Sequence, residues 1–375
     1  MTETPKSDFP IKLAEKSKMA RKPLHEDSSP TLRFLTYFAI FLLMAGGFAL
    51  GWGAAYKVYG PGPLPVSAQV VIPKGSSVKD AAHILAGAGA VKNWWSWWAM
   101  ARFASDPGQL HAGEYAIPAG ASLWDVVLAL RSGQVIVHKF TVKEGDTSLM
   151  VVEALKKEEK LEGEITAVPP EGSLLPETYH FQRGDQRQDV ITRMQVAMEE
   201  TLKELWPNRA DGLPYNSPQE AVTMASIIEK ETGIDGERGE IAGVFVNRLR
   251  KGMKLQSDPT TIYALTGGKG SIQDVLGRQL VRSDWLLANP YNTYHVVGLP
   301  PGPIANPGRA SIVAALKPNQ TENLFFVADG RGGHVFTSTL ADHNKHVNKR
   351  IETSKKESNK APSAAPAKSV TKKAN

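Results

Sequence analysis

The side chains best suited to acid–base chemistry are two glutamates at the end of one predicted helix, Ala221-Val-Thr-Met-Ala-Ser-Ile-Ile-Glu-Lys-Glu-Thr-Gly233. Successive helical residues turn by about 100°, so Glu229 and Glu231 point to nearly opposite faces and cannot serve one cleft together. Glu231 lies three, four and seven residues after Ile228, Ile227 and Met224, and so extends the apolar stripe. Glu229 shares its face with Val222, Ala225 and Ser226, a mixed and wetter side. A carboxyl at the end of an apolar stripe loses solvent, which raises its pKa and keeps a proton on it near neutral pH. Glu231 is therefore the candidate general acid and Glu229 the runner-up. The competing expectation is an interior glutamate held by an arginine such as Arg238 or Arg248.

The chain contains no cysteine. His343 and His346 have the i, i+3 spacing of a metal-binding pair, and His334 could join them in a metallohydrolase. No HExxH-type acid accompanies them, so solvated or capping histidines are expected, with no metal and no other cofactor. Carboxylates, hydroxyls and amides remain, which suits acid–base work on a neutral polymer. Two loops supply them. In Leu255-Gln-Ser-Asp-Pro-Thr260, the proline holds Asp258 extended. Tyr291-Asn-Thr-Tyr294 combines ring faces and an amide, a mix that stacks on and hydrogen-bonds sugars. Gly298-Leu-Pro-Pro-Gly-Pro-Ile304 then has few accessible conformations, and a pre-ordered loop holds a ligand at lower entropic cost.

The elements that must position these groups follow from composition. Lysine and arginine number 44 against 38 aspartate and glutamate, but residues 1–33 and 351–375 carry the whole excess. The body is neutral, which argues against a nucleic-acid partner. From Phe34 to Tyr56 no charge occurs, about the length that crosses a bilayer as a helix. Lys12, Lys16, Lys18, Arg21, Lys22 and Arg33 precede it and only Lys57 closely follows. The positive-inside rule then puts the N-terminus in the cytoplasm and everything after Gly60 outside. Residues 57–69 form a Pro/Gly linker. Beyond it, Val70, Tyr115 and Phe140 each begin a short strand followed by a Gly turn, a Ser/Thr cap and a helix. Three such units predict a small α+β region over 70–168. Trp94, Trp95, Trp97 and Trp98 crowd one short helix, and core packing is expected for at least two of them. Residues 169–350 form a second region, with helices at Val190–Leu205, Pro218–Glu231 and Gly239–Arg250 and a hairpin pairing Leu324–Ala328 with His334–Thr337. The basic segment 351–375 lacks apolar periodicity and is expected to be irregular. The fold class is thus α+β, behind a single transmembrane helix.

Met224-Ala-Ser-Ile-Ile-Glu-Lys-Glu-Thr232, Val246-Asn-Arg-Leu249, Leu255-Gln-Ser-Asp-Pro-Thr260, Tyr291-Asn-Thr-Tyr294, Gly298-Leu-Pro-Pro-Gly-Pro-Ile304, Asn306-Pro-Gly308 and Phe326-Val-Ala-Asp-Gly330 occur in this order. Together they closely resemble the endolytic murein transglycosylase, or YceG-like, family, from about Val70 to Val347. The resemblance implies a LysM-like first region, a mixed helical and β catalytic domain, and a place in the cell inner membrane with the body periplasmic. It implies peptidoglycan strands as substrate, with action beside a peptidoglycan synthase as a terminator of glycan elongation. The catalytic glutamate carried over by motif is Glu231. It would protonate the oxygen of the β-1,4 bond between N-acetylmuramic acid and N-acetylglucosamine, then take the proton of the muramoyl 6-hydroxyl as a 1,6-anhydro ring closes. Gln256, Asp258, Asn292 and Tyr294 are expected to orient sugar groups. Two alternatives stay open: a water-using muramidase with Asp258 as second carboxylate, and a non-enzymatic peptidoglycan-binding scaffold for a synthase.

Overall fold

The computed structural model describes residues 30–104 and 110–360. The basic residues Lys12 to Lys22 and the end of the C-terminal tail lie outside the described residues. The elements run α1 (Pro30–Tyr59), β1 (Ala68–Ile72), α2 (Val78–Gly87), α3 (Trp94–Phe103), β2 (Gly113–Ile117), α4 (Leu123–Ser132), β3 (Val137–Thr141), α5 (Ser148–Lys156), β4 (Thr178–Gln182), α6 (Arg187–Leu205), α7 (Pro218–Glu231), α8 (Arg238–Arg250), α9 (Asp258–Thr266), α10 (Ile272–Leu276), α11 (Arg309–Leu316), β5 (Phe325–Ala328), β6 (His334–Thr337) and α12 (Leu340–Lys360). The architecture is mixed α+β, with an apolar N-terminal helix. At 1.5 Å per residue, the 30 residues of α1 extend about 45 Å, and none of them is buried by the rest of the protein. It is long and apolar enough to cross a membrane, with a mean hydropathy of 1.9 over an 18-residue stretch.

The three strand–turn–helix units share one local design. Gly75, Gly120 and Gly145 take φ of +84°, +67° and +80°, a left-handed turn that a side chain would strain. Ser77, Ser122 and Thr147 then cap α2, α4 and α5 by accepting the N–H of Asp80, Asp125 and Met150. In the first two, the aspartate reaches back to the cap backbone and closes a capping box. Met150 cannot, so the third unit lacks it.

The strands pair in three separate antiparallel ladders, with Val70 opposite Tyr115, Phe140 opposite Tyr179 and Phe326 opposite Phe336. Each ladder belongs to its own packing region. The first core gathers Val70, Leu85, Trp97, Tyr115, Ile117, Val126 and Leu130. Of the four clustered tryptophans, Trp97 is fully buried and Trp94 packs against this core, while Trp95 and Trp98 are exposed. The second core joins Val142, Val151 and Leu155 to Leu174, Phe181, Val190 and Met194. It draws on both sides of residue 168, where composition suggested that one region gives way to the next. β4 makes this possible by pairing with β3; its alternation Thr178-Tyr-His-Phe-Gln182 buries Tyr179 and Phe181 and is the short period-2 signal that the sequence expectations passed over. The third core is built on α7, α8 and α11 around Met224, Ile227, Ile228, Phe245, Ile312 and Ala315, with β5 and β6 packed against it.

Three local expectations need correction. Gly233, the glycine just past the predicted helix and so its expected C-cap, does not cap α7: the cap is Thr232 in an extended conformation, and its N–H bonds the Ile228 carbonyl. Asp258 is not extended before Pro259. It opens α9, with Ser257 as the extended cap and the proline in the first turn, where its missing N–H costs nothing. Finally, α12 runs past Ser354 to Lys360, because this stretch contains no proline or glycine to stop it.

Candidate active site

Glu231 is the last residue of α7. The helix forms because Ser217 caps it, Pro218 sits at its start and Glu220 favours the positive end of its dipole. Residues 221–228 are all buried, so the helix is fixed on every side before it delivers Glu231 to a partly accessible end. There the carboxyl meets the 255–258 loop. Ser257 Oγ donates to Glu231 Oε1 at 2.5 Å, and Ser257 is itself buried.

The electrostatics follow from this placement. Burial pushes the Glu231 pKa up from 4.5 to about 7. The Ser257 hydrogen bond opposes the rise, the negative charge of Asp258 adds to it, and His334 and Arg248 pull it back. Desolvation wins, so the group holds its proton near neutrality. Neither arginine pairs with it. Arg248 is spent on backbone carbonyls, with Nε on Leu324 O at 2.6 Å and Nη1 on Leu255 O at 2.6 Å. It thereby clamps the loop that carries Ser257.

Glu229 is the glutamate that an arginine holds, which corrects its expected wetter setting. Its side chain is only 5% exposed and lies 3.4 Å from Arg238 Nη2. Its other oxygen accepts the Gly308 N–H at 2.9 Å, capping α11. The Asp235–Glu237 turn folds the start of α8 back over the end of α7, a tertiary event that face-counting along α7 misses. With both oxygens engaged, Glu229 is structural.

The two loops reach the site by different means. The 256–257 backbone is stitched to Thr293: Gln256 N–H donates to Thr293 O at 3.2 Å and Ser257 N–H to Thr293 Oγ1 at 3.0 Å. Gln256 is exposed, and among the described residues it is the non-glycine with positive φ, +52°. This conformation stores local strain. Asp258 is exposed beside it, and Tyr294 Oη (2.8 Å) and Trp285 Nε1 (3.1 Å) both donate to its Oδ1. The two rings stack with centroids 4.9 Å apart and planes inclined by 12°. Asp258, Tyr294 and Trp285 therefore form one aromatic-backed carboxylate.

Asn292 is fully buried. Its Oδ1 accepts from Thr261 Oγ1 and the Tyr294 N–H, and its Nδ2 donates to the carbonyls of Trp285 and Leu287. All four hydrogen-bonding valences of the amide are used within the protein. The residue shapes the loop and has nothing left for a ligand. Ser257 and Trp285 were not among the expected site residues. Ser257 lay inside a recognised motif, but its contact with Glu231 depends on the loop path. Trp285 comes to Tyr294 through a short 3-10 turn and the Asn292 amide, neither of which has a periodic signature.

The Gly298–Pro303 segment does not touch Glu231. With Pro214, Asn216, Gln219, Glu220, Thr223 and Leu249 it lines a groove of about 570 Å³ over the first half of α7. Thr223 precedes Glu231 by eight residues, about 12 Å along the helix axis. Ile304 N–H bonds Ser226 Oγ at 3.0 Å and fixes the segment to the helix. The histidines go elsewhere: His334 Nδ1 meets Glu237 Oε2 at 2.8 Å, and His343 stacks on Phe325.

Known proteins resemble the chain over most of its length. The chain is 32% identical over 343 residues to the endolytic murein transglycosylase of Bacillus subtilis (strain 168), covering 83% of this chain and 92% of that one. It is 28% identical over 372 residues to the endolytic murein transglycosylase of Streptococcus pneumoniae serotype 2 (strain D39 / NCTC 7466), covering 85% of this chain and 65% of that longer protein. The crystal structure of a YceG-like protein from Listeria monocytogenes is 30% identical and aligns with a TM-score of 0.46, covering 74% of this chain and 98% of that one. Residues 70–349 match the YceG-like family as a whole, and the chain belongs to that family.

Proposed function

We propose that this chain is an endolytic murein transglycosylase and that Glu231 is its acid–base group. The relatives' printed activity supports the reaction class. The observation that carries the assignment of Glu231 is its place at the partly accessible end of a buried helix, against Ser257 Oγ, a setting that pushes its pKa up to about 7. Such a carboxyl is protonated in an appreciable fraction at neutral pH. It gives its proton to the glycosidic oxygen as the bond to C1 of the muramoyl residue breaks, and the N-acetylglucosamine hydroxyl leaves. The muramoyl 6-oxygen bonds to C1 and its proton passes to the Glu231 carboxylate. The glutamate is regenerated, and no water is consumed.

Ser257 orients the carboxyl and stabilises its charged form between the two half-steps. Asp258, Tyr294 and Trp285 lie on the same side and offer a stacking face and acceptor for a neighbouring sugar. Gln256 is the remaining polar contact we assign to substrate.

The layout we propose places α1 in the cell inner membrane, residues 1–33 in the cytoplasm, and the body in the periplasm. Residues 70–168 are the region read as LysM-like, followed by a catalytic domain over 169–350 that acts beside a peptidoglycan synthase. Mass spectrometry of digests of purified murein tests the chemistry. Anhydro-muramoyl ends are expected from the wild-type protein and none from Glu231→Gln. Reducing muramoyl ends would replace the lyase by the hydrolase with Asp258 as second carboxylate. Unchanged strands with wild-type protein would leave only the scaffold.

A further inference from the structure

The linker after α1 is not a free tether. Gly62 N–H donates to Gly120 O at 3.0 Å, and Gly120 N–H returns to Leu64 O at 2.9 Å. Leu64 is part of the first core. The first folded unit is therefore pinned within a few residues of the end of α1, and α4 packs directly against that end.

An apolar surface runs on from this junction. Trp52, Tyr56 and Tyr59 fall at i, i+4 and i+7 on the last turns of α1, all exposed, the pattern of an aromatic belt at a membrane surface. The Tyr59 ring meets Trp124 of α4 edge-on at 6.2 Å. Leu128, one turn further along α4, is 45% exposed. The far end of α4 is tied to the end of α3 by Arg131 Nη1 on Ala104 O at 2.6 Å, and there Phe103 stands 87% exposed. Trp95 and Trp98 are exposed along the same helix, with the Arg102 guanidinium 5.9 Å from the Trp98 ring. The carboxylate on this stretch, Asp125, is turned back into the cap of α4 by Ser122. Lys57, Lys92 and Arg102 are exposed around it.

We propose that the α3–α4 face of the first unit lies on the outer surface of the bilayer that α1 crosses, with Trp124, Leu128 and Phe103 at the headgroup–acyl boundary. This rests on the reading of α1 as a membrane anchor. Apolar and aromatic side chains flanked by cations are the composition that settles at such a boundary, with the cations on lipid phosphates. The physical driving force is the removal of exposed ring and leucine surface from water. Contact through one face, together with the pinned linker, fixes the orientation of the body instead of letting it swing about Gly60.

The chain has no cysteine, so single-cysteine variants of the full chain carry one fluorophore each without background. Leu128→Cys and Phe103→Cys report on the proposed face, Leu43→Cys on the middle of α1, and Glu200→Cys on the exposed side of α6. Each is placed in phosphatidylcholine vesicles with and without nitroxide lipids, the nitroxide near the headgroup for positions 128, 103 and 200 and near the acyl-chain end for position 43, about 15 Å deep in the core. Loss of emission at positions 128, 103 and 43, with none at 200, is expected. Quenching at 43 alone would overturn the docked face while leaving the anchor intact. No quenching at 43 would remove the anchor, and the docked face with it.

Discussion

The central group is a single carboxyl whose ionisation is set by opposing neighbours, and each neighbour can be removed separately. With its pKa pushed up to about 7, Glu231 in the proposed role starts the reaction protonated, so the rate should fall as pH rises through neutrality. Ser257→Ala removes the hydrogen bond that favours the charged form. The falling limb should then move to higher pH, while kcat drops roughly 10-fold or more because the carboxyl loses its orientation. A limb that stays in place in this variant would assign the titration to another group. The same shift predicts a stability effect. The folded-state pKa lies above the ordinary 4.5, so the native state binds this proton more tightly than the unfolded chain does. That contribution is present in full below pH 4.5, is lost as pH rises through about 7, and leaves an ionisation penalty above it. Glu231→Gln carries no such penalty. Its melting temperature should match the wild type near pH 4 and exceed it at pH 8, by the equivalent of at most about 3 kcal/mol and less because the residue is partly accessible. A gain equal at both pH values would contradict the raised pKa.

At the scale of elements, α7 carries two glutamates with divided labour, and substitutions should separate them. Glu229 ties α7 to Arg238 at the start of α8 and to the Gly308 N–H at the start of α11. Glu229→Ala leaves a buried arginine short of one partner and a helix uncapped, at a cost of about 2–4 kcal/mol. A lowered melting temperature is expected, with the pH limb of the remaining activity unmoved. A shifted limb would mean that Glu229 shares in the chemistry. These two roles also show what could be seen in the chain beforehand. The apolar run Met224, Ile227, Ile228 has helical period, and a stripe that ends in an acid announces a desolvated carboxyl, so Glu231 was legible. Glu229 was not, because its partners come from α8 and α11, folded back from further along the chain. The Gly-turn and Ser/Thr-cap units were legible through local turn chemistry alone. The short helices α9, α10 and α11 were obscured by Pro and Gly at their ends and by lengths too small to show a period. Asn292 stood in a loop rich in sugar-binding residue types, and composition could not reveal that its amide is consumed inside that loop.

At the scale of the whole molecule, the second and third cores meet across a polar seam centred on Asn306, and this seam places the β3–α5 turn against the end of α7. Asn306 is fully buried. Its Oδ1 accepts the Leu174 N–H at 3.0 Å, its Nδ2 donates to Asp146 O at 3.0 Å, and its carbonyl takes the Gly145 N–H at 3.0 Å. Lys230 Nζ reaches Gly145 O at 3.2 Å from the residue just before Glu231. Thr147 Oγ1 adds a bond to Gly268 O at 2.5 Å beyond α9. The chain thus folds its third strand–turn–helix unit into the wall that steadies the end of α7, and Glu171 lines the same seam, its pKa raised by burial. Asn306→Ala should strand the Leu174 N–H, at about 1–3 kcal/mol for a donor buried unpaired, while the Asp146 carbonyl keeps the backbone N–H of residue 306. The expected result is a lower melting temperature and faster hydrogen exchange in the 144–148 turn, with a fall in kcat larger than any change in KM, because the end of α7 loses its support while the Tyr294–Trp285 stack proposed to meet sugar does not. If exchange quickens in the turn but kcat is untouched, the seam holds the fold together without helping to hold Glu231.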